Sequence, residues 1–214
     1  MTKRLAVFDL DGTLVDSGKV VATILNQIRK ELGKDEKRMD FFIPWLSLGG
    51  EELVANGLEI NIEEGQPFLE EFRGRYAMIP TPPDTVYEGV TDLLSHLKKR
   101  HVRTCICTNK PRNLAEKVLI DTELAPYFEF MCAGGDLNTK KPNPQNLDVC
   151  IKYFGENYKN TILIGDSSID QKIADSLDVD FAFFTRGYDD GVDNRKAYRI
   201  FENHLELKSL FYFS

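Results

Sequence analysis

Leu5-Ala6-Val7-Phe8-Asp9-Leu10-Asp11-Gly12-Thr13 joins an apolar run of strand length to two carboxylates and a glycine. The period of two along a strand points Asp9 and Asp11 the same way, and two charges about 4 Å apart repel by roughly 4 kcal/mol at an effective dielectric near 20. A positive partner is therefore expected between them. A hard divalent cation with oxygen ligands meets that need, Gly12 lets the backbone turn away, and the Thr13 hydroxyl can serve an anion. Taken alone, the same residues also fit an ordinary Asp-Gly turn after a strand.

Four further short apolar runs follow, Thr104 to Cys107, Phe128 to Cys132, Thr161 to Ile164 and Phe181 to Phe184. Stretches with helical spacing separate them, such as Val90, Leu93, Leu94 and Leu97, then Leu114, Val118 and Leu119. Fully apolar strands alternating with amphipathic helices predict a doubly wound, Rossmann-like parallel sheet covered on both faces. Thr108 and Asn109 follow the second run, Gly134-Gly135-Asp136 and Lys141 the third, and Gly165-Asp166-Ser167-Ser168-Ile169-Asp170 the fourth. Carboxyl ends of neighbouring strands share one crevice in such a sheet, so these motifs are expected to meet. Individually, Asp166 also fits a helix N-cap and Asp170 an exposed helix charge.

Residues 17–85 interrupt the alternation. Val20, Val21, Ile24, Leu25, Ile28 and Leu32 form a helical stripe, and the stretches around Glu51 to Leu58 and Pro67 to Tyr76 also read as helices. The reading is a helical cap domain, 17–85, inserted into an α/β core of 1–16 and 86–214, with Pro80-Thr81-Pro82-Pro83 as the extended return linker. Trp45 and the Phe41-Phe42 pair are expected to pack within this insert.

With 34 acidic against 27 basic side chains the net charge is −7, and no basic stripe offers itself to a nucleic acid. No stretch has the length of a membrane span or a signal sequence, which makes the cytoplasm the expected location. Cys105 and Cys107 fall on one face of a strand and read as small reduced hydrophobes. His96, His101 and His204 show no metal or triad spacing and are expected on the surface or at helix ends.

Asp9-Leu10-Asp11-Gly12-Thr13-Leu14-Val15-Asp16-Ser17, Thr108-Asn109-Lys110-Pro111, Lys141-Pro142-Asn143-Pro144 and Gly165-Asp166-Ser167-Ser168-Ile169-Asp170 resemble, in order, the four motifs of the haloacid dehalogenase-like hydrolase superfamily. The resemblance implies a Mg²⁺-dependent phosphatase acting on a small phosphorylated metabolite. Asp9 would be the nucleophile and Asp11 the general acid and base. Thr108, through its hydroxyl, and Asn109, through its backbone amide, would hold phosphate oxygens, with Lys141 supplying positive charge. Asp9, the backbone carbonyl of Asp11, and Asp166 would ligate the metal. Asp170 would stand behind them, orienting a water of the ion or Lys141. Asp11 must bind a proton near neutral pH to serve as acid, which neighbouring carboxylates or desolvation can arrange.

Ser47-Leu48-Gly49-Gly50-Glu51 and Gly135-Asp136 resemble the phosphoglycolate phosphatase-like branch, making Gly49 and Gly50 candidate substrate contacts. A glycine-containing turn of a helical insert fits the same residues. His101 and Asp178 stand where that branch often carries glycine, and the stretch from Tyr188 onward matches poorly. A phosphosugar mutase of the same fold and a non-catalytic binding or regulatory protein remain open as other classes, and the oligomeric state is not readable.

Overall fold

A computed structural model describes residues 3–211. Six parallel strands form one sheet: β1 (Leu5–Phe8), β2 (Arg103–Pro111), β3 (Phe130–Gly134), β4 (Thr161–Gly165), β5 (Asp180–Phe184) and β6 (Arg199–Phe201), in the spatial order β3-β2-β1-β4-β5-β6. Helices α5 (Val90–Lys99), α6 (Arg112–Asp121), α7 (Gln145–Phe154) and α8 (Ser168–Ser176) alternate with the strands. The sheet is thus doubly wound, and the chain leaves β1 toward β2 on one side and β4 on the other. A crevice opens at such a switch point, beyond the carboxyl ends of the strands.

The uninterrupted apolar character of the strands has a direct cause in this architecture. Ala6, Phe8, Ile106, Ile162, Ile164 and Phe184 face one buried layer, whereas Leu5, Val7, Cys105, Cys107, Leu163 and Phe181 face the other with α7 and α8. Both sets are excluded from water, so neither face has a use for polar residues. All four cysteines are buried as free thiols in the second layer.

The β6 strand has no counterpart in the sequence reading, because its three residues sit at the sheet edge and only Phe201 is buried. Strand β2 also runs past Cys107 to Pro111, with a shift of register against β3 in that span.

Between β1 and α5 lie α1 (Gly18–Glu31), α2 (Met39–Leu46), α3 (Gly50–Leu58) and α4 (Gly65–Met78), which pack on one another. The sequence pattern missed α2, whose interior Pro44 and nearly continuous apolar residues mask any 3.6-residue period. Phe42 is fully buried there, with Phe41 and Trp45 packed beside the core. The outgoing and returning chains run side by side: the Asp16 amide donates to the Thr85 carbonyl at 2.8 Å and the Tyr87 amide to the Leu14 carbonyl at 3.0 Å. Among the described residues, no helix is long and apolar enough to cross a membrane.

His101 and Asp178 adopt left-handed φ values of 55° and 54°, a region glycine occupies without steric cost. His204 departs from expectation. It is wholly buried rather than superficial, with its ring centroid 4.6 Å from that of Phe184 and 5.3 Å from that of Phe201. Within the described residues neither ring nitrogen completes a hydrogen bond, although the Glu88 and Thr13 carbonyls lie near enough to temper the effect of burial. Burial pushes its pKa from 6.5 down to about 4.

The sign follows from the neutral ring being favoured by the fold. The unfolded chain binds a proton below pH 6.5 that the folded one refuses until about 4, so stability falls as pH drops through that window. His204→Phe should remove about 3 kcal/mol of acid destabilisation between those limits, measured as the difference between wild-type and variant urea-unfolding free energies at each pH. Parallel curves for the two proteins would contradict the assignment.

Candidate active site

Asp9 directly follows β1 and Asp166 directly follows β4, and these strands are hydrogen-bonded neighbours. Their carboxylates therefore emerge together at the switch point. One carboxylate oxygen from each of Asp9, Asp166 and Asp170 falls within 4.8 Å of the others, and all three residues are buried. Lys141, in the loop between β3 and α7, reaches across: its Nζ lies 2.8 Å from Asp9 Oδ1 and 2.6 Å from Asp170 Oδ1.

Each of these side chains is held from behind. Ser167, not Asp166, caps α8, and Asp170 completes the capping box by accepting from the Ser167 amide at 3.3 Å, with the Ser167 hydroxyl donating to the same oxygen at 2.7 Å. Asp166 accepts from the Thr13 hydroxyl at 2.7 Å and from the Tyr188 amide at 2.7 Å. The anion that Thr13 serves in this structure is thus the protein's own. The Asn109 side chain clamps the Lys141 backbone from both sides, accepting from its N–H at 2.7 Å and donating to its carbonyl at 3.1 Å. Asn109 consequently positions Lys141 through its amide group, a task the sequence reading had not given it.

Burial pushes Asp9 from 3.8 up to about 7; Lys141 opposes this and Asp170 reinforces it. Asp166 is raised by burial, then by Asp9 and Asp170. Burial also works against the Lys141 charge, yet Asp170 and Asp9 outweigh it and hold the ammonium above the usual lysine range. Three carboxylates against one lysine leave two uncompensated negative charges when all are ionised. Such a set of hard oxygen donors suits a divalent cation, which would take the place of the protons that burial favours on Asp9 and Asp166.

Glycine keeps the cluster open. Gly12, at φ +82°, has no room for a Cβ against Asp166 and Tyr188; Gly187 would strike Asp166 and the Gly12 carbonyl, and Gly165 would strike Asp170.

Asp11 lies outside the three-carboxylate cluster and its side chain has other partners. Lys110 Nζ approaches its two oxygens at 3.0 and 3.1 Å, and the Ser17 hydroxyl donates to Oδ1. Lys110 also donates to the Tyr76 hydroxyl of α4 at 3.0 Å. Thr108 is buried at the floor, where its hydroxyl accepts from the Lys110 amide at 3.2 Å. A cavity of about 70 Å³ is lined by Asp9, Asp11, Thr108, Asn109 and Lys141 from the sheet side, and by Gly49, Gly50, Phe72 and Tyr76 from the inserted helices. Sequence reasoning passed over Lys110, Tyr76 and Tyr188 as site residues. Only Lys110 carried a signal, by following Thr108-Asn109.

Residues 6–184 match the family model for haloacid dehalogenase-like hydrolases. The chain belongs to this family. It is 31% identical over 195 residues to phosphoglycolate phosphatase 1 of Pseudomonas aeruginosa, spanning 88% of this chain and 71% of that one. With the phosphoglycolate phosphatase of Colwellia psychrerythraea it shares 30% identity over 199 residues, covering 89% and 88% respectively. The crystal structure of a predicted phosphoglycolate phosphatase from Haemophilus somnus superposes with a TM-score of 0.89 at 23% identity, over 99% of both chains. That of β-phosphoglucomutase from Clostridium difficile gives 0.78 at 19% identity, covering 96% of this chain and 93% of that one. At those identities the two structures establish the shared fold alone.

Because Asp9 and Asp166 favour protons in the metal-free site, a cation must displace protons to bind and should do so better at higher pH. At 100 times its dissociation constant Mg²⁺ should add about 2.7 kcal/mol to stability, or roughly 5 to 10 °C in Tm for a chain of this size. Thermal unfolding should show this rise at pH 8, a smaller one at pH 5.5 for the same Mg²⁺ concentration, and none in Asp166→Asn. A pH-independent rise that survives in Asp166→Asn would place the ion elsewhere.

Proposed function

We propose that this chain is a Mg²⁺-dependent phosphatase that hydrolyses a small phosphate monoester through an aspartyl-phosphate on Asp9. The observation that carries the reading is the meeting of Asp9, Asp166, Asp170 and Lys141 at one strand edge, opening into a cavity floored by Thr108.

The Asp9 carboxylate would attack phosphorus in line, forming an O–P bond as the ester O–P bond breaks. Asp11 would give a proton to the departing oxygen, then take one from the water that cleaves the intermediate. The Thr108 hydroxyl and the Asn109 backbone amide would donate to equatorial phosphate oxygens. Lys141, held by Asp170 and Asn109, would keep its charge beside Asp9 and the phosphate throughout. Asp9, the Asp11 carbonyl and Asp166 would hold the cation, with Asp170 behind them. When bound, the cation neutralises nucleophile and phosphate together, allowing two anions to approach.

Residues 17–85 would act as a cap over the core of 1–16 and 86–214, excluding water from the reaction. Gly49 and Gly50, both at positive φ, line the cavity from that side as substrate-contact candidates. The cavity has room for a handful of water-sized groups, which favours a phosphate on a short organic group over a nucleotide. A phosphoglycolate-like ester is the substrate this reading favours, in keeping with the relatives' names.

Phosphate release from p-nitrophenyl phosphate should require Mg²⁺, stop with EDTA, and return when Mg²⁺ is restored. Asp9→Asn should lower kcat by at least about 10³-fold, the scale expected when a nucleophile is lost. Across a panel of monoesters, phosphoglycolate should give a higher kcat/KM than hexose phosphates or nucleotides. Full turnover by Asp9→Asn would overturn the nucleophile assignment, and an inverted order across the panel would overturn the substrate class.

A further inference from the structure

Arg73 is a cavity cation that the proposed chemistry does not use. Leu69, Phe72, Arg73 and Tyr76 recur at helical spacing along α4, and all of them line the cavity that Asp9 and Lys141 border from the sheet side. Leu69, Phe72 and Tyr76 are buried, as such a stripe demands, whereas Arg73 is exposed. A hollow outside the cavity shares Gly50, Leu69 and Arg73 with it, so Arg73 stands at the mouth, between site and solvent.

The other cations around the cavity already have counter-charges. Lys141 is held by Asp9 and Asp170, Lys110 by Asp11 at 3.0 Å, and at the rim Lys140 by Glu52 at 2.7 Å. Within the same helical insert Arg29 pairs with Glu59 at 2.7 Å and Arg75 with Glu31 at 2.5 Å. Among the described residues no carboxylate stands within ion-pair distance of Arg73, although Glu51 and Glu52 border the same hollow.

Resting on the reading of a small phosphate monoester as substrate, we infer that Arg73 is a specificity residue that receives a second anionic group, a carboxylate on the alcohol half of the ester. Lys141 and Thr108 serve the phosphate from the sheet side, and in a cavity of about 70 Å³ this leaves the alcohol half against the α4 wall. A guanidinium presents paired N–H donors in the plane that a carboxylate accepts, and it keeps its charge at any working pH. Entry of the ester displaces water from the mouth, which strengthens a pair that free solvent would weaken. A neutral substituent forgoes this attraction and a cationic one is repelled, so the same charge selects for one class and against another.

Three esters of similar size separate the classes: phosphoglycolate, ethyl phosphate and phosphoethanolamine. Arg73→Gln should lower the ratio of kcat/KM on phosphoglycolate to that on ethyl phosphate by about 10-fold, the lower end for a hydrogen bond to a charged group, with the change in KM rather than kcat. Arg73→Lys should recover part of the ratio, and Arg73→Glu should place phosphoethanolamine above phosphoglycolate. Circular dichroism and Mg²⁺-induced stabilisation should match wild type in all three. Calorimetric titration of phosphoglycolate into Asp9→Asn with Mg²⁺ present, with and without Arg73→Gln, reads the same contact without turnover and should show the same loss of affinity. An unchanged ratio in Arg73→Gln, or equal losses on all three esters, would overturn the inference, the latter making Arg73 a phosphate ligand. Absence of turnover by the wild-type protein, with Arg73-dependent binding of phosphoglycolate intact, would instead sink the phosphatase reading and leave the carboxylate contact standing.

Discussion

Three aspartate oxygens within 4.8 Å of one another, in a place water hardly reaches, carry more negative charge than one lysine can balance. That electrostatic constraint organises everything around it. It accounts for the rise of the Asp9 pKa to about 7, for the donors on both oxygens of Asp166, and for the Ser167 hydroxyl on the Asp170 oxygen that Lys141 does not engage. It also accounts for Gly12, Gly165 and Gly187, which leave the backbone close to carboxylates that any Cβ would displace. Neutral surroundings would have made none of these features necessary.

The sheet brings these groups together at little extra cost. Adjacent parallel strands deliver their carboxyl ends to the same edge, so Asp9 and Asp166, separated by more than half the chain, emerge side by side. Apolar burial on both faces then holds the strands in register, and the site inherits that rigidity. The inserted helices meet the site differently, through contacts such as Tyr76 with Lys110 and an exposed ion pair of Lys140 with Glu52 at 2.7 Å. An exposed pair of that kind contributes only about 0 to 1 kcal/mol.

Strand identity and the convergence of motifs were legible because fully buried strands and paired carboxylates leave unmistakable local patterns. Long-range partnership was not. Nothing local marks Tyr188 as donor to Asp166, Tyr76 as partner of Lys110, or Asn109 as the clamp on Lys141, since each acts on a residue remote in the chain. His204 was misplaced for a related reason: a histidine in a polar segment near Glu202 and Glu206 reads as exposed, and only tertiary packing puts it between two phenylalanines. β6 and α2 were hidden by brevity and by an interior proline.

The central claim is that the buried carboxylate cluster exists to hold one divalent ion beside Asp9. The most direct measurement is anomalous X-ray diffraction from a crystal grown with Mn²⁺ as a substitute for Mg²⁺. The account predicts a single strong peak bonded to oxygens of Asp9 and Asp166, with Asp170 still engaged by Lys141. A peak at another site with the cluster left bare, or a cluster whose carboxylates pair only with protons and Lys141 at saturating Mn²⁺, would contradict it.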